Sequence, residues 1–216
     1  GQRDAIRKMN EAGMDALIVI GGEGSMNGAN ALSQKGVKVV GIPGSIDNDL
    51  WGTNMAIGTD TAMNTIMDAV DKLRDTASSH QRAFLVETMG RNCGYLAVMA
   101  GIVCGAEMVL IPEVPFTEDE VAAAVEDAYQ RGKTHAIIIN AEGSVISTTD
   151  LAAKIDSMDL GFKTRMTILG HIQRGGSPTA YDRLLASRLG VKAVEALIEG
   201  KHGVMAGLTS EGIEFV

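Results

Sequence analysis

The run Ala16-Leu17-Ile18-Val19-Ile20 passes without a polar residue straight into Gly21-Gly22-Glu23-Gly24-Ser25. A strand that is apolar on both faces must be buried on both faces, and glycines at its carboxyl end let the backbone turn tightly into a helix. The pattern recurs: Val37–Ile42, Ala83–Glu87, Met108–Ile111, Ala136–Asn140 and Met166–Leu169 are short, rich in Val and Ile, and bounded by Gly, Pro or polar residues. Helical patterns lie between them. Thr59–Ser78 sets Ala62, Ile66, Ala69, Val70 and Leu73 three and four apart, Thr117 before Glu118-Asp119-Glu120 predicts an N-cap with an acidic first turn, and Tyr181–Glu199 is another amphipathic helix. The weaker pattern of Ser144–Leu160 reads as a surface excursion. Alternation of this kind predicts an α/β fold, with parallel sheet covered by helices on both faces.

In such sheets ligands bind beyond the carboxyl ends of the strands. Five loops follow predicted strands and carry glycine with polar residues: 21–25, 43–49, 87–91, 140–143 and 170–176. They are expected to share a crevice. Gly21–Ser25 is neither a Walker loop nor a GxGxxG fingerprint, because Gly28 falls one place late. It still places backbone N–H groups and a helix N-terminus where a phosphate can approach, with Glu23 as an oxygen ligand for Mg²⁺; a simple tight turn is the equal alternative.

In Gly44-Ser45-Ile46-Asp47-Asn48-Asp49 an ionised Asp47 can accept the proton of an attacking hydroxyl, and Ser45 can hold a phosphoryl or sugar oxygen. The competing reading is an Asx-turn network in which Asp47 and Asp49 bond their own loop. Both carboxylates cannot be anionic beside phosphates unless Mg²⁺ or arginine is close. After Met89 and Gly90, the Arg91 guanidinium offers a fork for phosphate. Glu142 can accept from sugar hydroxyls, and His171 and Arg174 share a face if their segment turns helically, a pairing suited to a sugar phosphate. A structural hydrogen bond is as good a reading of His171. Arg82 and Arg165 also stand in motif-like contexts, against the plainer reading of solvated arginines.

A formal charge of −8 argues against nonspecific nucleic-acid binding. No run approaches the 18 apolar residues of a membrane span, and Gly1-Gln2-Arg3-Asp4 lacks a signal-peptide pattern, so a cytoplasmic protein is expected. Cys93 and Cys104 have neither CxxC spacing nor clustered histidines and read as buried free thiols.

Gly-Gly-Glu-Gly-Ser, Pro-Gly-Ser-Ile-Asp-Asn-Asp, Ser-Ser-His-Gln-Arg, Met-Gly-Arg and Leu-Gly-His-Ile-Gln-Arg-Gly-Gly-Ser-Pro, in this order, closely resemble the bacterial-type ATP-dependent 6-phosphofructokinase family over nearly the whole chain. The resemblance implies a two-lobed fold, a homo-oligomer (tetramer or dimer), and phosphoryl transfer from MgATP to the 1-hydroxyl of fructose 6-phosphate in glycolysis. It makes Asp47 the base, with Ser45 and Asp49 beside it and Arg91 in the catalytic set. It assigns the sugar phosphate to Met89, Gly90, Arg91, Glu142, His171 and Arg174, with Arg82 and Arg165 reaching in from a neighbouring subunit. Gly22, Glu23, Gly24, Ser25 and Gly28 become the nucleotide loop, with Glu23 on the metal, and Arg74, Glu107, Arg131 and Lys133 an effector pocket; Arg131 and Lys133 also read as an ordinary basic helix terminus.

Pyrophosphate-dependent members tend to carry Asp after the motif's acidic residue and Lys in the Asp loop. Gly24 and Gly44 stand there, which favours ATP. Glu23 replaces the family's usual Asp, and the family's first strand, its glycine-rich phosphate loop, an arginine that stabilises the transferring phosphoryl and its last helix have no counterpart. The chain is therefore expected to be truncated at both ends, with residues 1–57 and 163–216 forming an incomplete donor-nucleotide lobe and residues 58–162 the sugar-phosphate lobe. The alternatives are a pyrophosphate-dependent enzyme and a noncatalytic fragment that binds sugar phosphate or effector.

Overall fold

The computed structural model describes residues 1–216, the side chains of residues 78–80 excepted. Ser78, Ser79 and His80 of the Ser-Ser-His-Gln-Arg motif thus lie outside the described side chains. The chain divides into two compact units, residues 1–59 with 178–216 and residues 60–177.

In the first unit, β1 (Leu17–Gly21), β2 (Val39–Pro43), β7 (Val204–Thr209) and β8 (Gly212–Phe215) form one sheet in the order β1-β2-β7-β8. The first three strands run parallel, and β7 and β8 make an antiparallel hairpin. The hairpin adds one antiparallel edge strand to an otherwise parallel sheet. Every residue of β2 is buried, as an apolar strand between two neighbours requires. Helix α7 (Ala180–Ile198) lays Leu185, Leu189, Ala193 and Ala196 on Val40, Ile42 and Ala206. It starts cleanly, since the Thr179 side chain accepts the N–H of Asp182 at 3.2 Å. α1 (Gln2–Glu11) and α2 (Glu23–Ser33) complete this unit.

The second unit holds β3 (Arg82–Thr88), β4 (Met108–Leu110), β5 (His135–Ala141) and β6 (Lys163–Ile168), all parallel, in the order β4-β5-β3-β6. Leu85 and Ile138 on the two central strands are wholly buried, each worth about 1.5–3 kcal/mol of hydrophobic stabilisation. α3 (Thr59–His80), α4 (Tyr95–Cys104), α5 (Glu118–Gln130) and α6 (Thr148–Ser157) connect the strands. Thr117 and Glu120 form a full capping box at α5, a signal of about 1 kcal/mol that the sequence carries openly.

Two expectations change. Residues 144–160 are no surface excursion, because α6 buries Leu151 and Ile155 in the same core as Leu85 and Ile138. Residues 163–177 fall in the second unit, since β6 pairs with β3 from Arg82↔Lys163 to Glu87↔Ile168. Among the described residues no helix is long and apolar enough to cross a membrane, and Cys93 and Cys104 are free thiols, the first half-buried.

Candidate active site

In the first unit two strand-end loops lie side by side because β1 and β2 are neighbours in register, Gly21 opposite Pro43. The N–H of Gly44 donates to the Gly21 carbonyl at 2.9 Å, and a Cβ built on Gly22 would lie 3.5 Å from the Ser45 Cβ. Gly22 is the N-cap of α2 and carries no capping side chain, so the first-turn N–H groups of Glu23 and Gly24 precede the first intrahelical bonds and point out of the helix end. Glu23, Gly24 and Ser25 are exposed, and a Cβ on Gly24 or Gly28 would meet nothing within 4 Å. At Gly44 a Cβ would press on Ile20 at 3.3 Å. The missing side chain therefore leaves space at Gly24 and serves strand packing at Gly44.

The loop after β2 separates its carboxylates by exposure. Asp47 is 7% exposed, whereas Asp49 is exposed. Ser45 and Asn48 take part in closing the loop. Ser45 Oγ accepts the Asp47 N–H at 3.2 Å, and Asn48 accepts from the Ala56 N–H at 2.8 Å while donating to the Asn54 carbonyl at 3.1 Å. Ser45 Oγ keeps its own proton to donate. Below the loop, Thr59 Oγ1 donates to the Ser45 carbonyl at 2.9 Å and the N–H of Gly58 donates to Asp182 Oδ1 at 3.0 Å, with Asp182 only 1% exposed. Asn48 and Asp182 support this loop and were not among the expected residues; Asn48 alone had a signal, since Asn tolerates the positive φ of 53° found there.

In the second unit the loops after β3, β5 and β6 converge. Glu142 Oε1 accepts the N–H groups of Gly90 at 3.2 Å and Arg91 at 2.8 Å, and the N–H of Met89 donates to Gln173 Oε1 at 2.9 Å. Glu142 thus holds backbone, a task beyond the sugar contact expected of it. The approach is so close that a Cβ on Gly143 would lie 1.9 Å from the Arg91 carbonyl oxygen. Residues 170–174 form a 3-10 helix, and His171 and Arg174 are exposed on it; at three residues per turn they share one side. Arg91 is exposed too, at φ 52°. Arg82 starts β3, six residues and about 20 Å before its end, and Arg165 lies exposed within β6, opposite Phe84. Neither sits with the converged loops.

Of the four residues expected to form an effector pocket, Lys133 and Glu107 meet at 2.5 Å, and Glu107, 4% exposed in its side chain, also accepts the Ile137 N–H. Arg74 donates to the Cys104 carbonyl. Arg131 is turned to Asp127 of its own helix at 2.6 Å. Beside this group, burial holds the His135 imidazole below its usual pKa; Glu107 opposes that shift, and Arg74 and Lys133 reinforce it.

Mg²⁺ binds through one or two carboxylates together with substrate phosphates and water. An exposed glutamate at the open end of a helix fits that habit, and among the described residues no cluster of three His, Cys, Asp or Glu forms a self-sufficient metal cage.

Residues 1–197 match the family model for phosphofructokinase. The chain is 56% identical over 201 residues to the ATP-dependent 6-phosphofructokinase 1 of Clostridium perfringens, covering 93% of this chain and 62% of that enzyme. Among solved structures, phosphofructokinase from Saccharomyces cerevisiae superposes with a TM-score of 0.91 at 36% identity, covering all of this chain and 34% of that one. A pyrophosphate-dependent phosphofructokinase from Marinobacter aquaeolei shares the fold, with a TM-score of 0.84 at 21% identity over all of this chain and 60% of that one.

Proposed function

The chain belongs to the phosphofructokinase family, and from that premise we propose that it takes part in transferring the γ-phosphoryl of MgATP to the 1-hydroxyl of fructose 6-phosphate, giving fructose 1,6-bisphosphate and ADP. The observation that carries the reading is the adjacency of the Gly22–Ser25 helix end and the Ser45–Asp49 loop, joined through Gly44 and Gly21. That pairing sets a phosphate cradle next to a buried carboxylate, the two parts in-line phosphoryl transfer needs.

Asp47 takes the proton from the 1-hydroxyl as its oxygen bonds to the γ-phosphorus and the bond to the β-phosphate oxygen breaks. Ser45 donates to an oxygen of the acceptor and Asp49 stands beside it. The exposed N–H groups at the start of α2 hold donor phosphates, and Gly24 and Gly28 leave room along the helix for the nucleoside. Glu23 would hold Mg²⁺, which when bound neutralises charge on the phosphate oxygens. In the second unit Met89, Gly90, Arg91, Glu142, His171 and Arg174 bind the sugar phosphate, with Arg91 also offsetting transferred charge. Arg82 and Arg165 lie apart from that group, which supports a second copy supplying them to a shared site in a homo-oligomer. Arg74, Glu107 and Lys133, with Arg131, form an effector site for a phosphate-bearing ligand, and the enzyme works in the cytoplasm.

The chain spans 62% of the length of its Clostridium relative, so the test is fructose 1,6-bisphosphate formation by the purified chain with Mg²⁺ and either ATP or pyrophosphate, beside Asp47→Ala. Turnover with ATP that drops at least about 10³-fold in the variant is expected. A variant at full turnover sinks the base assignment, pyrophosphate outpacing ATP sinks the donor, and no turnover with retained sugar-phosphate binding leaves the chain a binding unit.

A further inference from the structure

Three consecutive backbone N–H groups, those of Met89, Gly90 and Arg91, are each taken by a side chain from another strand-end loop: Gln173 for the first and Glu142 for the other two. Gln173 differs from its neighbours. It is 1% exposed, whereas His171, Ile172 and Arg174 are all exposed. Its Oε1 is bonded to Met89, but its Nε2 is buried without a partner. An orphan buried donor is unfavourable, and a leucine or methionine would fill the same space without one. Core filling therefore does not account for an amide here; the acceptor at Met89 does.

We propose that Gln173 is a positioning residue that locks the loop carrying Arg91 to the 3-10 helix carrying His171 and Arg174, so that the three cationic or polar groups present one surface to the phosphate of a sugar phosphate. The inference rests on the sugar-phosphate reading above. The loop depends on such anchors because Arg91 holds a φ of 52°, a costly conformation for a non-glycine residue, and Gln173 adds at Met89 to what Glu142 does at Arg91. The lock spans 84 residues of sequence with one hydrogen bond of 2.9 Å.

The test is calorimetric titration of the 216-residue chain with fructose 6-phosphate for wild type, Gln173→Met and Gln173→Glu, with amide hydrogen exchange at Met89 followed in each. Gln173→Met keeps the volume and loses the acceptor; it should weaken binding about 10-fold and release the Met89 amide to exchange. Gln173→Glu keeps an acceptor and should bind within about 3-fold of wild type with the amide still protected. Wild-type binding left unchanged in Gln173→Met overturns the positioning role alone. Wild type that binds no fructose 6-phosphate overturns the sugar-phosphate reading and this inference with it. Equal losses in both variants assign Gln173 to packing and also overturn the proposal.

Discussion

Oε1 of Glu142 accepts the backbone N–H of Arg91 at 2.8 Å, across 51 residues of sequence and from an adjacent strand end. With Gly90 bonded to the same oxygen, the carboxylate acts first as a backbone anchor, and under the proposed function Oε2 is the oxygen that would meet a sugar hydroxyl. Glu142→Ala should lower stability by about 1–2 kcal/mol in urea unfolding and weaken fructose 6-phosphate binding at least 10-fold on the order of a lost charged hydrogen bond. Glu142→Gln, which keeps an acceptor for the loop, should lose clearly less on both counts. Equal behaviour of the two variants would mean the anchor does not matter.

Gly143 makes the anchor sterically exclusive. A Cβ at this position falls 1.9 Å from the Arg91 carbonyl oxygen, which is backbone and cannot rotate away. Gly143→Ala should force the two loops apart, costing about 2–3 kcal/mol of stability and sugar-phosphate affinity together. Unchanged melting and binding in that variant would show that the loops yield without consequence.

Asn48 carries the loop of Asp47 in two ways, through a φ of 53° and through bonds to Ala56 and Asn54. Asn48→Gly loses the bonds but relaxes the backbone, whereas Asn48→Ala loses the bonds and keeps the strain. The expected order of stability by chemical denaturation is wild type, then Gly, then Ala, with losses of about 1–2 and 2–3 kcal/mol. Ala more stable than Gly would remove the conformational part of the argument.

Much of this was legible in the chain, for a physical reason. β2, β3 and β5 announce themselves because strands buried on both faces must be apolar almost throughout, whereas β1 is as apolar yet leaves Ile20 exposed, and β6 is mostly exposed with Lys163 and Arg165 among its residues. β7 and β8 were not legible, since Val204–Thr209 carries a glycine and Gly212–Phe215 is too short and mixed for a period of two to show. α6 looked superficial because only Thr148, Leu151 and Ile155 of its ten residues are buried. Ser45, Asp47, Glu142 and Arg91 stood out by residue type in glycine loops. Gln173 and Asp182 did not, because what makes them matter is a partner N–H 84 and 124 residues away, and sequence alone carries no trace of such pairs.

Cys104 should be the inert thiol of the two. Burial raises its pKa above the usual 9.0, Asp71 adds to the rise, and Arg74 opposes it. At pH 8 a disulfide reagent should leave Cys104 unmodified in the native chain and reach it only with denaturant. Rapid native labelling of Cys104, mapped by peptide mass, would contradict its burial.

His135 gives the chain a pH dependence of definite sign. Burial, assisted by Arg74 and Lys133 against Glu107, holds its pKa below the ordinary 6.5, and Thr134 Oγ1 lies 3.3 Å from its Nδ1. The unfolded chain therefore takes up this proton at higher pH than the folded one. The stabilising contribution is full above pH 6.5 and is lost as the pH falls through that value toward the folded pKa. His135→Asn should accordingly flatten the fall in urea midpoint between pH 7.5 and pH 5.5 relative to wild type. If Arg74, Glu107 and Lys133 receive a phosphate-bearing effector, its negative charge beside the imidazole must favour the protonated ring. The imidazole titration followed by NMR should then move upward when the effector, or inorganic phosphate at high concentration, is added. A titration that stays put would separate His135 from that site, and one above 6.5 in the free chain would reverse the sign of the pH dependence itself.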